Sequence, residues 1–113
     1  MIKFNSSPKP TIGVELQLID EKDSNLKNIA PKVLTDIDKK FSDNVKSELI
    51  ESMIEINTNI CSTVEEAESN IIEILAHLDE ILKNYKTNIN CTSLHPFSIG
   101  KNQIVTNNLR YQR

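Results

Sequence analysis

Between Thr63 and Lys86 the chain has neither glycine nor proline, and its apolar residues return three and four positions apart: Val64, Ala67, Ile71, Leu75, Leu78, Leu82 and Tyr85. That spacing predicts one long amphipathic helix over roughly 64–86, about 35 Å at ~1.5 Å per residue. Its ends are marked. Thr63 with Glu66 three residues on forms a capping box. Glu65, Glu66 and Glu68 sit at the positive end of the helix dipole, with Lys83 and Lys86 near the negative end. A stripe of this length needs an apolar surface to cover it. With aromatics at 4% and no Trp in 113 residues, that surface must be aliphatic.

Two further segments can supply it. TIGVELQLID, residues 11–20, alternates: Ile12, Val14, Leu16 and Leu18 fall on one face, and Gly13, Glu15, Gln17 and Ile19 on the other. Period two predicts a half-buried strand. LIESMIEINT, residues 49–58, reads the same way. Ile50, Ser52, Ile54 and Ile56 share one face; Leu49, Glu51, Met53, Glu55 and Asn57 share the other. A helix is the alternative there, since Glu51 and Glu55 are also four apart, but the isoleucines favour a strand. Pro31, Val33, Leu34, Ile37 and Phe41 predict a short helix over 31–41, stopped by Ser42-Asp43-Asn44. NINCTSL is a third strand candidate, followed by His95-Pro96-Phe97. Residues 1–10 read as a loose lead-in. The expected class is α+β, one domain over 1–113, with an antiparallel sheet packed on helices.

Composition removes several functions. Lys plus Arg is 13 and Asp plus Glu 16, a net charge of −3, whereas a general nucleic-acid binder needs a basic face. No apolar run approaches the ~20 residues of a membrane span. The opening MIKFNSSPKP lacks the apolar core of a secretory leader. Cys61 and Cys91 make neither a disulfide framework nor a zinc site, and read as two apolar thiols. A cytoplasmic protein is expected, with no nucleic-acid or membrane partner. Gly13 and Gly100 are the only glycines, so no glycine-rich loop can cradle a phosphate. Any nucleotide would be held through cations on carboxylates.

The polar strand face is therefore the informative one. Glu15, Glu51 and Glu55 stand on it with no Lys or Arg on the same face of either strand. Directly opposed side chains lie ~5 Å apart, and two carboxylates at that distance repel by ~3 kcal/mol at an effective dielectric of 20. Such a face is either plainly solvated or a seat for a hard cation, Mg²⁺ or Mn²⁺. His95, just past a strand end, is a further ligand or phosphate contact on the second view and a structural residue on the first. His77, within the long helix, receives no role.

TIGVELQLID, VKSELIESMIEINTNIC, a Thr-capped helix, LHPF and NNLRYQR occur in an order that resembles the N-terminal portion of the carboxylate–amine ligases of the glutamate–cysteine ligase type 2 family, from about Thr11 to Arg113. The resemblance implies a glutamine synthetase-like ligase fold, here incomplete, whose curved antiparallel sheet carries the active site on its polar face. It implies that ATP phosphorylates the γ-carboxylate of glutamate. The amine of cysteine, or of another acceptor, then attacks the acyl phosphate.

By that resemblance Glu15, Glu48, Glu55 and His95 fall on metal-ligand positions. Gln17, His95 and Arg110 fall on nucleotide contacts, and Glu51 and Arg110 on catalytic ones. Gln17 stands where the family has a second acid, Glu48 where Asp is usual, and Leu94 where Thr precedes the His. Family members are several times longer, so a truncated, inactive piece is the expectation, with bare sheet edges that favour homo-oligomers. The alternatives are a non-catalytic partner-binding or dimerising module that kept the sheet, and a small protein with a solvated face.

Overall fold

The computed structural model describes residues 9–111. Most of the expected lead-in, and the last two residues of the NNLRYQR motif, lie outside them. The fold is α+β. Strands β1 (Gly13–Asp20), β2 (Val45–Ser47), β3 (Met53–Asn57) and β4 (Thr87–Asn90) form an antiparallel sheet in the order β2-β3-β1-β4. Helices α1 (Ala30–Asp36) and α2 (Val64–Asn84) pack on one side of it. Period two explains the layering. Leu16 and Leu18 of β1, Val45 of β2, and Ile54 and Ile56 of β3 point to the helices and are buried. Opposite them are Val33 of α1 and Ile74, Leu78, Ile81 and Leu82 of α2. Among the described residues no helix is long and apolar enough to cross a membrane.

The long helix begins where its cap predicts. Thr63 Oγ1 accepts the Glu66 N–H at 3.1 Å. The Glu66 carboxylate reaches back one residue further than in a standard capping box, to the Ser62 N–H at 2.7 Å. The helix ends at Asn84 rather than Lys86, because Lys86 adopts a left-handed backbone (φ 51°) that turns the chain into β4. The buried stripe is also rotated from the expected one. Ile74 is fully buried and Val64 is 78% exposed.

Three boundaries differ from expectation. The helix over 31–41 stops at Asp36, and Ile37 and Asp38 are extended. A 3-10 turn over Lys39–Phe41 follows, capped by Asp38 Oδ1 on the Lys40 N–H at 2.8 Å. The break carries Phe41 into the core, stacked on His77 at 4.6 Å. His77 Nε2 also accepts the Asp38 N–H at 3.0 Å, so this histidine does hold the connection together. The strand expected over 49–58 is shorter, with a turn at Glu51-Ser52 and only a single bridge, at Ile50, before it. β3 starts only at Met53, and Val45–Ser47, for which no element is expected, is the edge strand β2. The third strand candidate, NINCTSL, is a strand only over its first three residues, with Thr87 added before them, and Thr92 turns its hydroxyl back onto Gln17.

Candidate functional site

The sheet face away from the helices holds the polar set. Register fixes who meets whom. Glu15 of β1 pairs directly with Glu55 of β3, Gly13 with Asn57, and Gln17 with Met53 on one side and Asn90 on the other. Glu48 follows β2 immediately, and its carboxyl group is close enough to that of Glu15 for the two to interact. Three acids distant in sequence thus converge. Their mutual effect is visible in Glu15, whose carboxyl is raised above its ordinary value of 4.5. The Glu48 hydrogen bond is the largest cause, followed by the Glu48 charge, slight burial and the Glu55 charge.

Gly13 makes room for this arrangement. A Cβ at that position would stand 2.8 Å from Asn57 Oδ1 and 3.0 Å from Glu55 Oε1. The glycine is therefore the floor over which both side chains lie.

Gln17 is buried on the same face, and its Oε1 accepts from Asn90 Nδ2 at 2.7 Å and from Thr92 Oγ1 at 3.2 Å. That oxygen is engaged by protein donors, so Gln17 ties the β4 end of the sheet to the acidic row.

The segment after β4 returns across the β2–β3 turn. Thr106 N–H donates to Leu49 O at 2.9 Å, Glu51 N–H donates to Ile104 O at 2.8 Å, and Ile50 bridges Val105. A 3-10 turn over Leu109–Tyr111 then brings the Tyr111 hydroxyl to 3.4 Å from Glu48 Oε1. Arg110 lies beside it, its guanidinium 5.5 Å from the Tyr111 ring centre. Arg110 is exposed and neighbours the tyrosine that reaches Glu48.

Two expected residues are placed elsewhere. Glu51 leaves the polar row because it sits in the turn before β3. It lines a cavity of about 230 Å³ with Ala30, Pro31, Leu34, Ser47 and Thr106. His95 Nε2 lies 2.7 Å from the Ser24 carbonyl oxygen, in the turn beyond β1, and its ring meets Phe97 edge-on. Asp20, where β1 ends, is ~16 Å along the strand from Glu15 at ~3.3 Å per residue.

Sequence reasoning missed Lys46. The expectation of an acidic face without cations holds for β1 and β3, but β2 adds Lys46 in register with Glu55. The alternation hid it: β2 buries the odd-numbered Val45 whereas β3 buries the even-numbered Ile54 and Ile56, so the turn between them resets which positions face the acids. Asn57 and Tyr111 were likewise invisible as site residues, since each is placed by pairing or by chain return.

Among the described residues no group of three or more His, Cys, Asp or Glu is arranged to enclose a metal ion. The acids form an open row with one pair in contact. That donor set fits Mg²⁺ in its usual protein setting, where one or two carboxylates hold the ion and substrate phosphates and water complete its octahedron.

Known proteins resemble this chain along most of its length. The chain is 31% identical over 118 residues to a protein of Frankia casuarinae provisionally named glutamate–cysteine ligase 2-1, covering 99% of this chain and 31% of that one. A protein of Mycolicibacterium paratuberculosis, provisionally named glutamate–cysteine ligase 2, is 33% identical over 112 residues, 97% of this chain and 29% of its own. A Thermobifida fusca protein with the same provisional name is 30% identical over 116 residues, again 97% and 29%. The chain thus spans about a third of the length of the curated relatives it matches. The family model described as glutamate-cysteine ligase family 2 matches residues 11–113. With the acid-bearing strands, the capped helix and the returning Asn-Leu-Arg-Tyr segment all inside that match, the chain belongs to glutamate–cysteine ligase family 2.

Proposed function

We propose that this chain supplies one wall of an ATP-dependent carboxylate–amine ligase site that forms γ-glutamyl amides, on a glutamine synthetase-like fold in the cytoplasm. The observation that carries the reading is the direct pairing of Glu15 with Glu55, with Glu48 beside Glu15, on the face opposite the helices. Glu15, Glu48 and Glu55 would hold Mg²⁺ or Mn²⁺. A divalent ion there supplies charge neutralisation to the triphosphate. Glutamate's γ-carboxylate oxygen attacks the γ-phosphorus and ADP leaves. The amine nitrogen of cysteine, or of another acceptor, then attacks the acyl carbon, releasing phosphate and giving up its proton.

The chain's own residues position and stabilise rather than react, as phosphoryl transfer requires. Arg110 offers a planar fork to a phosphate or carboxylate. Gln17, held by Asn90 and Thr92, fixes the rim beside Glu15. Glu51 and His95, set away from the row, would contribute through glutamate or nucleotide contacts at its margins.

Calorimetric titration with Mn²⁺ and a non-hydrolysable ATP analogue tests the reading. Saturable binding in the low-millimolar range or tighter is expected, and both Glu15→Gln and Glu55→Gln should abolish it. Equal binding by wild type and variants would assign the acids to a merely solvated face. Because the chain spans about a third of its relatives' length, the 113-residue chain alone is expected to release no phosphate from ATP with glutamate and cysteine.

A further inference from the structure

The row containing Glu15 and Glu55 ends in a cation. Lys46 opposes Glu55 across β2 and β3, as Glu55 opposes Glu15 across β3 and β1. Three side chains therefore stand in line on one face, each ~5 Å from the next, with charges plus, minus, minus. Glu55 is shared between a like and an unlike neighbour. The Lys46 ammonium is loosely held, 3.7 Å from Asp43 Oδ1, with its own side chain 50% exposed and that of Asp43 fully exposed. A flexible four-carbon stem ending in a point charge is free to leave such a partner.

We propose that Lys46 is a specificity-determining residue of this face: it disfavours a bare divalent cation and binds a phosphate oxygen of a metal–nucleoside triphosphate. The inference rests on the proposed cation-binding role of Glu15, Glu48 and Glu55. Its physical basis is the incomplete ligand set. An ion seated on one or two carboxylates brings its phosphates with it, so the triphosphate must lie along the acidic row. Lys46 is at the end of that row. A positive charge there repels an ion arriving alone and attracts the net-negative metal–nucleotide. The same side chain then acts in opposite directions on the two ligands.

The experiment titrates the full 113-residue chain, wild type, Lys46→Met and Lys46→Arg, with Mn²⁺ alone, with the Mn²⁺ complex of a non-hydrolysable ATP analogue and with Mn²⁺ tripolyphosphate. Lys46→Met is expected to tighten Mn²⁺ alone and weaken both phosphate complexes, each by roughly three- to tenfold at low salt. Lys46→Arg should keep the wild-type order. Unchanged affinities in Lys46→Met, or shifts of the same sign for all three ligands, would overturn the proposal. If wild type binds and Glu15→Gln does not, such a result refutes Lys46 alone. If wild type binds none of the ligands, the cation-site reading and this proposal fall together. Circular dichroism of Lys46→Met separates loss of binding from loss of fold, and an unfolded Met variant leaves the order of affinities in Lys46→Arg as the deciding measurement, a reversed order overturning the proposal.

Discussion

Replacing Gly13 by Ala should separate the site from the fold. The added Cβ would stand 2.8 Å from Asn57 Oδ1 and 3.0 Å from Glu55 Oε1, both of them ends of side chains rather than backbone. Those ends can swing away, at ~0.5–1.5 kcal/mol for each side chain driven off its rotamer. Against that, Ala in a strand is favoured over Gly by roughly 0.5–1 kcal/mol. Two displaced side chains minus the backbone gain leaves a net destabilisation of about 0–2.5 kcal/mol. An unfolding entropy of ~2.1 cal/mol/K per residue, over 113 residues, makes 1 kcal/mol worth about 4 °C. The melting temperature of Gly13→Ala should therefore fall by no more than about 10 °C. Its binding of Mn²⁺ with an ATP analogue should weaken by roughly tenfold, because Glu55 can no longer lie over position 13 beside Glu15. Calorimetry and thermal unfolding on the same preparation give both numbers. Wild-type affinity in a folded Gly13→Ala chain would show that the Glu55 placement is irrelevant to binding. A much larger fall in melting temperature would show that the strand, not the side-chain ends, absorbs the clash.

Other outcomes follow from burial and charge. Ile74→Ala should cost about 2–5 kcal/mol and Val64→Ala less than about 0.5, measured by urea unfolding. Equal costs would contradict the rotated stripe of α2. Glu15 has its folded-state pKa raised, first by Glu48. The folded chain then keeps a proton that the unfolded one releases, so this contribution is present below 4.5 and lost as pH rises through the raised value. Glu15→Gln should accordingly gain stability relative to wild type between pH 4 and pH 7, and a gap that closes instead would refute the carboxyl contact. Asp20 is shifted the other way, held below 3.8 by the Lys22 N–H and then by Lys27. Its contribution is present above the ordinary value and lost as pH falls through the lowered one. Asp20→Asn should be less stable than wild type at neutral pH, with the difference shrinking in acid.

What the sequence reveals, and what it hides, divides along a physical line. Alternation needs only neighbours in the chain, so the faces of β1 and β3 are legible down to Leu16, Leu18, Ile54 and Ile56. The Thr63 cap is legible for the same reason. Interactions that depend on register are not. Nothing local in Val45-Lys46-Ser47 says that three residues suffice for an edge strand, and Lys46 reaches the acidic face only through pairing with Glu55. Nothing local in Ile37-Asp38 announces a helix break, because the break is stabilised by His77 some forty residues on. Tyr111 meets Glu48 by a chain return that no periodicity describes. The carboxylates occupy an intermediate place: their strand face is readable, but the contact of Glu15 with Glu48 requires knowing where β2 stops.

The pairing of Glu15 with Glu55 also explains why the sheet can hold such a site at all. Like charges directly opposite are destabilising in a sheet, and a domain of this size has little stability to lose. Here the repulsion is confined to one face of two central strands. The same strands bury Leu16, Leu18, Ile54 and Ile56 on the other face, where each side chain contributes ~1.5–3 kcal/mol. Glu48 stands at the end of β2, where its carboxyl group raises the pKa of Glu15, and Lys46 offsets part of the charge from the edge. The fold thus bears the cost of its acidic face through helix-side burial one residue out of phase with the acids, since period two keeps the two sets of side chains apart. A one-residue slip of β1 against β3 would send the acids into the core and the leucines to solvent, so the packing that stabilises the chain is also what holds the carboxylates in register.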